Sequence, residues 1–203
     1  MSEKKTKKKK EQKETKEQQP IVIRQQQQEE EIRTMALFGE VDEEKSQEII
    51  FGMLIMTDYA KNRENLKPID FYISTYGGSA DEMFSIYDMM NITRQKCEIH
   101  TIGLGKVMSA GTLLLAAGTK GHRKIGKHCR VMIHAVNAGA LGELHNMENE
   151  LLAIKHLQEL YINALSVETK MTKRKIQKLI DRKVNVYLTA EEAVEYGIAD
   201  EII

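Results

Sequence analysis

The chain has 203 residues, a length typical of one domain plus a tail, and apolar residues make up 41% of it, enough for a sizeable core. Residues 1–20 hold eight Lys and four Glu, so the other 22 basic and 26 acidic residues leave the body with a charge of −4. Such a body lacks the dense basic surface that nucleic-acid binding requires. No stretch reaches the roughly 20 apolar residues of a membrane span. The sequence therefore argues against a nucleic-acid-binding protein and against a membrane-spanning one.

Two further features bear on where the protein resides. The first apolar run of any length begins near Met35, so we expect no cleavable signal peptide. The two cysteines, Cys97 and Cys129, do not stand in a spacing typical of a metal site. We therefore expect a cytoplasmic protein in which both thiols are reduced and buried as small apolar side chains.

Residues 1–32 are rich in Lys, Glu and Gln and contain no aromatic residue. Such a segment buries too little apolar surface to offset the entropy of ordering it, so the sequence predicts a disordered N-terminal tail. Its lysines are interpreted as a solvated charge run, the alternative being contact with nucleic acid or an acidic partner. The folded domain is predicted to span residues 33–203.

After the tail, strand-like and helix-like stretches alternate. The predicted strands are Met35–Phe38 (ended by Gly39), Ile69–Ser74, Glu98–Leu104 (ended by Gly103 and Gly105) and Arg130–Ile133. The predicted helices are Glu43–Asp58, Ala80–Met90 and Ser109–Ala117. Strands and helices that alternate at this interval predict an α/β fold of βαβ units with parallel strands.

The segment from about residue 142 to residue 172 predicts one long helix. Its apolar residues recur at intervals of three and four, at Leu144, Met147, Leu151, Ile154, Leu157, Tyr161 and Leu165. A helix of about 28 residues would be roughly 42 Å long, more than a compact domain of this size needs. We expect its apolar stripe to be buried against another subunit, the alternative being a helix that lies across one long sheet.

A serine lies at a predicted strand-to-helix turn, in the run Gly105–Gly111, which holds several small residues. Such a turn exposes the hydroxyl of Ser109 at the start of a helix, beside backbone N–H groups that have no helical acceptor. That arrangement suits a nucleophile beside an anion-stabilising site. The alternative is a serine that only caps its helix, which is far commoner.

Two other segments stand at predicted strand ends. Gly77-Gly78 forms a glycine-rich turn whose N–H groups suit an oxyanion hole, the alternative being a plain tight turn. His134 follows an apolar strand, where open α/β sheets place catalytic groups, the alternative being a satisfied core residue. The remaining histidines lie in polar or turn-like settings that suggest no pairing: His100, His122, His128, His145 and His156.

These segments occur in the order seen in a known family. The region 105–139, with Gly77-Gly78, is similar to the region that identifies the Clp protease proteolytic subunit. The family's GQAASMG, LLAAGxxGxR and MIH read here as GKVMSAG at 105–111, LLAAGTKGHR at 114–123 and MIH at 132–134. Its SPGGS and closing AEEAxxYGLxD read as TYGGS at 75–79 and AEEAVEYGIAD at 190–200. The resemblance covers the chain from about residue 33 to the end.

The resemblance implies a crotonase-like superhelix of ββα units that acts as a serine peptidase. It implies Ser109 as nucleophile, His134 as general base, and the N–H groups of Gly78 and Ala110 as the oxyanion hole. It also implies that the helix near 142–172 is a handle by which two heptameric rings interlock. An AAA+ ATPase of the Clp type would unfold protein substrates and feed them to the rings. No metal or organic cofactor is implied, and a role for the tail at the ring entrance is a further hypothesis.

The sequence departs from the family pattern at three places. Ala135-Val136 replaces Gln-Pro after the histidine, and Ala110 replaces Met after the serine, which we expect to reshape the substrate groove. The triad Asp of the family falls on Asn185. An Asn can orient a histidine by accepting its hydrogen bond, but it cannot stabilise an imidazolium by charge. Asp181 is the alternative orienting residue.

Four functions therefore compete. The first is an active peptidase, and the second is a weak or inactive ring subunit, suggested by Asn185. The third is a crotonase-like hydratase, which the Ser–His pair disfavours because that chemistry usually needs acidic residues. The fourth is a Ser–Lys dyad that recruits Lys106 or Lys127 and has no need of His134.

Overall fold

A computed structural model describes residues 31–139, 141–182 and 184–203. Apart from its last two residues, the tail for which disorder is predicted lies outside the described residues. The strands are β1 Thr34–Val41, β2 Ile69–Gly78, β3 Ile99–Met108, β4 Arg123–Ile125, β5 Arg130–Ile133, β6 Val186–Leu188 and β7 Glu201–Ile202. The helices are α1 Glu43–Thr57, α2 Ala80–Arg94, α3 Ala110–Ala116, α4 Leu144–Glu168, α5 Lys173–Ile180 and α6 Ala190–Glu195.

One sheet organises the fold, as the alternation of elements predicts. Its strands follow the order β1-β2-β3-β4-β7, and every neighbouring pair on this path is parallel. Beyond the β3–β4 pairing, β3 also pairs in parallel with β5. The predicted α/β class with parallel strands is therefore confirmed, and the antiparallel pair β5–β6 is an addition to it.

The predicted ends of β1 and β3 are wrong for the same reason. β1 continues through Gly39 with a register shift between Phe38 and Glu40. β3 continues through Gly103 and Gly105 to Met108, and its register against β2 shifts as well. Glycine inside a strand commonly marks a bulge, so these glycines bend the strands without ending them.

The structure also adds short elements that the sequence analysis does not predict. β4, β6 and β7 have three, three and two residues, too few to show an alternating pattern. α6 did carry a local signal, since Thr189 and Glu192 form a reciprocal capping box at its start. α5 begins at Lys173, just beyond the segment predicted as one long helix.

The long helix α4 is present, with bounds slightly inside those predicted. It has 25 residues, which corresponds to roughly 38 Å. Its C-terminal half packs into the core through Tyr161 and Leu165. Its N-terminal half does not, since the side chains of Leu144 and Leu151 are 67% and 51% exposed. The idea that the whole helix lies across one sheet is therefore wrong.

Buried polar contacts tie the C-terminal end of α4 to the rest of the domain. The carboxylate of Glu168 is buried and accepts hydrogen bonds from Arg94 at 2.7 Å and from the hydroxyl of Tyr87 at 3.0 Å. Arg123 donates to the carbonyl of Glu168 at 2.7 Å and pairs with Asp200 at 2.6 Å. Because a buried charge is costly unless it is paired, these contacts hold the last turn of α4 in one place.

No helix within the described ranges is long and apolar enough to cross a membrane. Both cysteines are buried and free. Burial raises the pKa of the Cys129 thiol to about 11 and also raises that of Cys97. The two thiols are therefore protonated at neutral pH, in agreement with the expectation that they act as small apolar side chains.

Candidate active site

The register of two parallel strands brings the candidate nucleophile and base together. Met108 on β3 pairs with Met132 on β5. Ser109 is the next residue after β3, and His134 follows the last residue of β5. Parallel strands that are paired in register end at the same edge of the sheet, so two residues 25 positions apart in sequence become neighbours.

The side chains of Ser109 and His134 are in contact. Their Oγ and Nε2 atoms lie 2.7 Å apart, within hydrogen-bonding distance. Ser109 occupies the N-cap position of α3, yet its hydroxyl makes no capping hydrogen bond. In contrast, the hydroxyl of Ser79 caps α2 by accepting from the N–H of Glu82 at 3.3 Å. The interpretation of Ser109 as an ordinary helix cap is therefore wrong.

Ser109 has an unusual backbone conformation. Its φ of 54° is the only positive value for a non-glycine residue in the described ranges. Such a conformation is costly for a side-chain-bearing residue and persists only where the surroundings impose it. Here the N–H of Ser109 donates to the carbonyl of Met132 at 2.8 Å, and its carbonyl accepts from the N–H of Thr112 at 3.0 Å. The resulting sharp turn presents the hydroxyl to the imidazole.

A buried tyrosine adds a third contact to this turn. The hydroxyl of Tyr161 on α4 donates to the carbonyl oxygen of Ser109 at 3.2 Å. Burial raises the pKa of Tyr161, so the phenol keeps the proton that it donates. In the sequence, Tyr161 is recognisable only as a member of the apolar stripe of the long helix. A buried tyrosine needs a hydrogen-bond partner, but its identity depends on the fold.

His134 is partly buried beside the cavity. Burial disfavours the charged imidazolium and lowers the pKa of His134. A neutral ring accepts a proton at Nε2 when Nδ1 carries the hydrogen. In this tautomer the hydroxyl of Ser109 donates to the ring. At neutral pH the pair therefore has the protonation state that a nucleophile and its base require.

The glycine-rich end of β2 packs directly against the serine. Gly77 has a φ of 103°, and a Cβ atom there would lie 2.6 Å from the Cβ of Ser109. A Cβ on Gly78, whose φ is 156°, would lie 2.2 Å from the carbonyl oxygen of Val41. Both positions therefore require glycine. Both also belong to β2, where Gly77 pairs with Glu40 and Gly78 with Val41, so the prediction that a turn ends the strand before them is wrong.

A cavity of about 160 Å³ joins the candidate residues. Gly78, Ala110, Ser109 and His134 all line it. Ala110 opens α3, where the first N–H groups of a helix have no helical acceptor. The remaining lining residues are small, apolar or polar: Ser79, Ala80, Met83, Ala135, Val136, Asn137 and Tyr161.

The third member of the predicted triad lies near the histidine without a hydrogen bond to it. Val186 on β6 pairs with Ile133, so Asn185 stands next to His134 at the end of the ladder. The side chain of Asn185 is exposed, and no hydrogen bond joins it to His134 within the described residues. The carboxylate of Asp181 accepts instead from the amide of Gln177 at 2.7 Å. The orienting role of Asn185 remains a prediction.

A lysine base finds no support in the geometry. The ammonium of Lys106 lies 4.6 Å from the ring centroid of Tyr76, a cation–π distance. Over the part of the chain that the structure describes, neither Lys106 nor Lys127 contacts the hydroxyl of Ser109. The partner of that hydroxyl is the imidazole of His134.

Comparison with known proteins agrees with the motifs. The family described as Clp protease matches residues 16–203. Among curated relatives, ATP-dependent Clp protease proteolytic subunit 1 of Corynebacterium glutamicum is 33% identical over 85% of this chain and 79% of its own length. Subunit 2 of Thermobifida fusca is 32% identical over 84% of this chain and 80% of its own. Subunit 3 of Synechococcus sp. is 36% identical over 84% of this chain and 82% of its own length. The chain belongs to the Clp protease family.

Proposed function

We propose that the chain is the proteolytic subunit of an ATP-dependent Clp-type protease and cleaves peptide bonds of unfolded proteins. The observation that carries the proposal is the 2.7 Å contact between Ser109 and His134. Helix capping does not explain this contact, because the hydroxyl makes no capping bond. The names of the relatives, proteolytic subunits of ATP-dependent Clp proteases, support a protein substrate and the dependence on ATP.

In the proposed mechanism Ser109 Oγ attacks the peptide carbonyl while Nε2 of His134 takes the hydroxyl proton. The tetrahedral intermediate collapses when the C–N bond breaks, and the imidazolium gives its proton to the leaving amine. Water then attacks the acyl-enzyme, with His134 acting again as base, and the carboxylic acid leaves Ser109. The chemistry uses two side chains of this chain and needs no redox partner.

The negative charge on the intermediate requires donors that are already in place. We assign this role to the backbone N–H groups of Gly78 and Ala110, because both residues line the cavity that holds Ser109 and His134. Support comes from the steric requirement for glycine at position 78 and from the helix start at Ala110. Removal of a single such donor in other hydrolases lowers turnover by roughly 10²–10³-fold.

A second candidate, a weak or inactive ring subunit, is motivated by Asn185. In the trypsin-like triad, replacement of the orienting Asp by Asn lowers turnover by about 10⁴-fold. In this chain Asn185 is exposed and not bonded to His134. The strained turn at Ser109 nevertheless favours the active subunit, since a catalytically idle chain has no chemical need for that backbone conformation.

We also propose that the chain assembles into two stacked heptameric rings through the exposed half of α4. We call the stripe formed by Leu144, Met147 and Leu151 the handle face. These three side chains are 67%, 41% and 51% exposed, and their spacing of three and four residues places them on one side of the helix. A contiguous apolar surface of this kind is typical of a subunit interface. We propose that the AAA+ ATPase that feeds the rings is a separate protein.

The direct test is hydrolysis of a fluorogenic peptide by the purified full-length chain. We expect measurable turnover for the wild type and a loss of at least about 10³-fold in Ser109→Ala, because the nucleophile is removed. Ser166→Ala is the matched control, since among the described residues the hydroxyl of Ser166 bonds only to the carbonyl of Asn163 in its own helix. Equal rates in wild type and Ser109→Ala would contradict the proposal.

The pH dependence tests the roles of His134 and Asn185. The base must be neutral, and burial lowers the pKa of His134. Wild-type activity should therefore persist below the usual pKa of a histidine. It should fall as the pH drops through the lowered pKa. In Asn185→Asp a nearby carboxylate favours the imidazolium. We expect the acid limb to move to higher pH and kcat to rise about 10-fold or more. An unchanged profile and rate would show that residue 185 does not act on His134.

The assembly proposal is tested by the mass of the particle in solution. Leu151→Glu places a charge in the handle face, and we expect sedimentation to report a particle of half the wild-type mass. Asn149→Glu adds the same charge at an exposed polar position of α4 and should leave the mass unchanged. If both variants retain the wild-type mass, the handle face is not the ring interface.

A further inference from the structure

A second cluster of polar side chains lies at the opposite end of β3 from the candidate active site. Glu98, His100 and His122 each offer one ligand atom, and these atoms lie within 4.8 Å of one another. Nε2 of His100 is 2.9 Å from Oε2 of Glu98, and Nε2 of His122 is 3.8 Å from the same oxygen. The interpretation that these two histidines have no pairing is wrong, since their rings stack and His100 bonds to Glu98.

The sheet places these residues together. Asp70 on β2 pairs with His100 on β3, and Thr101 on β3 pairs with Arg123 on β4. His122 directly precedes Arg123, so it stands beside His100. Glu98 is two residues before His100, and residues two apart in an extended chain point to the same side.

The loop that carries His122 is fixed against the start of β3. The N–H of Ile99 donates to the hydroxyl of Thr119 at 2.9 Å, and the N–H of Thr119 donates to the carbonyl of Ile99 at 2.7 Å. This reciprocal pair holds the loop before β4 beside the first residues of β3. The two imidazoles are therefore brought together by backbone geometry, and their proximity does not depend on the histidines themselves.

We propose that Glu98, His100 and His122 form a binding site for a divalent transition-metal ion such as Zn²⁺. Two imidazoles and one carboxylate are a ligand set that Zn²⁺ accepts, with a water molecule in the fourth position. Ligand atoms at about 2.0–2.1 Å from a tetrahedral metal lie about 3.4 Å from one another. The distances of 2.9 and 3.8 Å from Glu98 to the two rings bracket that value.

A second carboxylate provides independent support. Oδ1 of Asp70 lies 3.6 Å from Nδ1 of His100, which is within ion-pair distance but longer than a hydrogen bond. Metal-binding histidines usually direct their second nitrogen to a carboxylate or a carbonyl, which fixes the tautomer and orients the ring. The pair His145 and Glu148 on α4 makes a useful contrast, since its ring nitrogen and carboxylate lie 3.7 Å apart and no second histidine joins them in the described residues.

Metal binding requires a small adjustment of the rings. His100 and His122 are stacked with centroids 4.3 Å apart and an angle of 9° between their planes. Their Nε2 atoms converge on one ion only if the rings tilt. The two side chains are 24% and 45% exposed, which leaves room for that rotation.

The position of the site indicates what the metal would do. His100 pairs with Asp70 and Val107 with Thr75, so the bulge in β3 reduces the nine-residue separation of His100 and Ser109 to about seven strand positions, or about 23 Å. At that distance the ion takes no part in peptide hydrolysis. It would instead join β3 to the loop before β4 and stabilise that edge of the domain, because a ligand that binds only the folded state raises its stability.

The test is titration of tag-free full-length protein, first stripped with a chelator, with ZnCl₂ by calorimetry and with Co²⁺ by absorption. We expect one ion per chain with nitrogen and oxygen ligation. Binding should be lost in the double variant His100→Ala/His122→Ala and weakened about 10-fold in Asp70→Asn. Zn²⁺ should raise the unfolding midpoint of the wild type and leave that of the double variant unchanged.

The matched control is His145→Ala, which removes an exposed histidine that also lies beside a glutamate. It should bind the ion as the wild type does. Equal stoichiometry and affinity in the wild type and the double variant would overturn the proposal, as would the absence of binding to the wild type. A thiolate charge-transfer band in the Co²⁺ spectrum would also overturn it, because the metal would then be bound by cysteine.

Discussion

The candidate active site depends on the register between β3 and β5. The pairing of Met108 with Met132 brings the ends of the two strands to one edge of the sheet. Ser109 Oγ and His134 Nε2 then meet at 2.7 Å. A shift of one residue in this register would turn alternate side chains to the opposite face and separate the pair. The chemistry proposed for the chain is therefore a consequence of backbone pairing between buried strands.

Helix α4 serves the site in two ways. Its buried half brings Tyr161 to the carbonyl of Ser109 and so supports the strained turn. One turn earlier on α4, the side-chain oxygen of Gln158 accepts from the N–H of Val136 at 3.3 Å. Val136 lies two residues after His134. The exposed half of α4 carries the handle face. One continuous helix contains both halves. Contacts that another subunit makes with the handle face would therefore restrain the helix that supports Ser109.

Much of this arrangement was predictable from local pattern. The motifs around Ser109 and His134 indicated both the family and the two residues that meet, and the apolar spacing indicated the long helix. The glycines within β1 and β3 were misleading, because a glycine that bends a strand and one that ends it look alike in sequence. The partner of Tyr161 and the cluster around His100 were not predictable, since both depend on which strands and helices become neighbours.

The central claim is that His134 activates Ser109 as a nucleophile, and covalent labelling tests it most directly. The full-length assembled protein is treated with a fluorophosphonate probe, and the modified residue is mapped by mass spectrometry in the wild type and in His134→Ala. We expect a single label on Ser109 in the wild type and a strongly reduced rate of labelling in the variant. An unlabelled Ser109, or labelling at equal rates in both proteins, would contradict it.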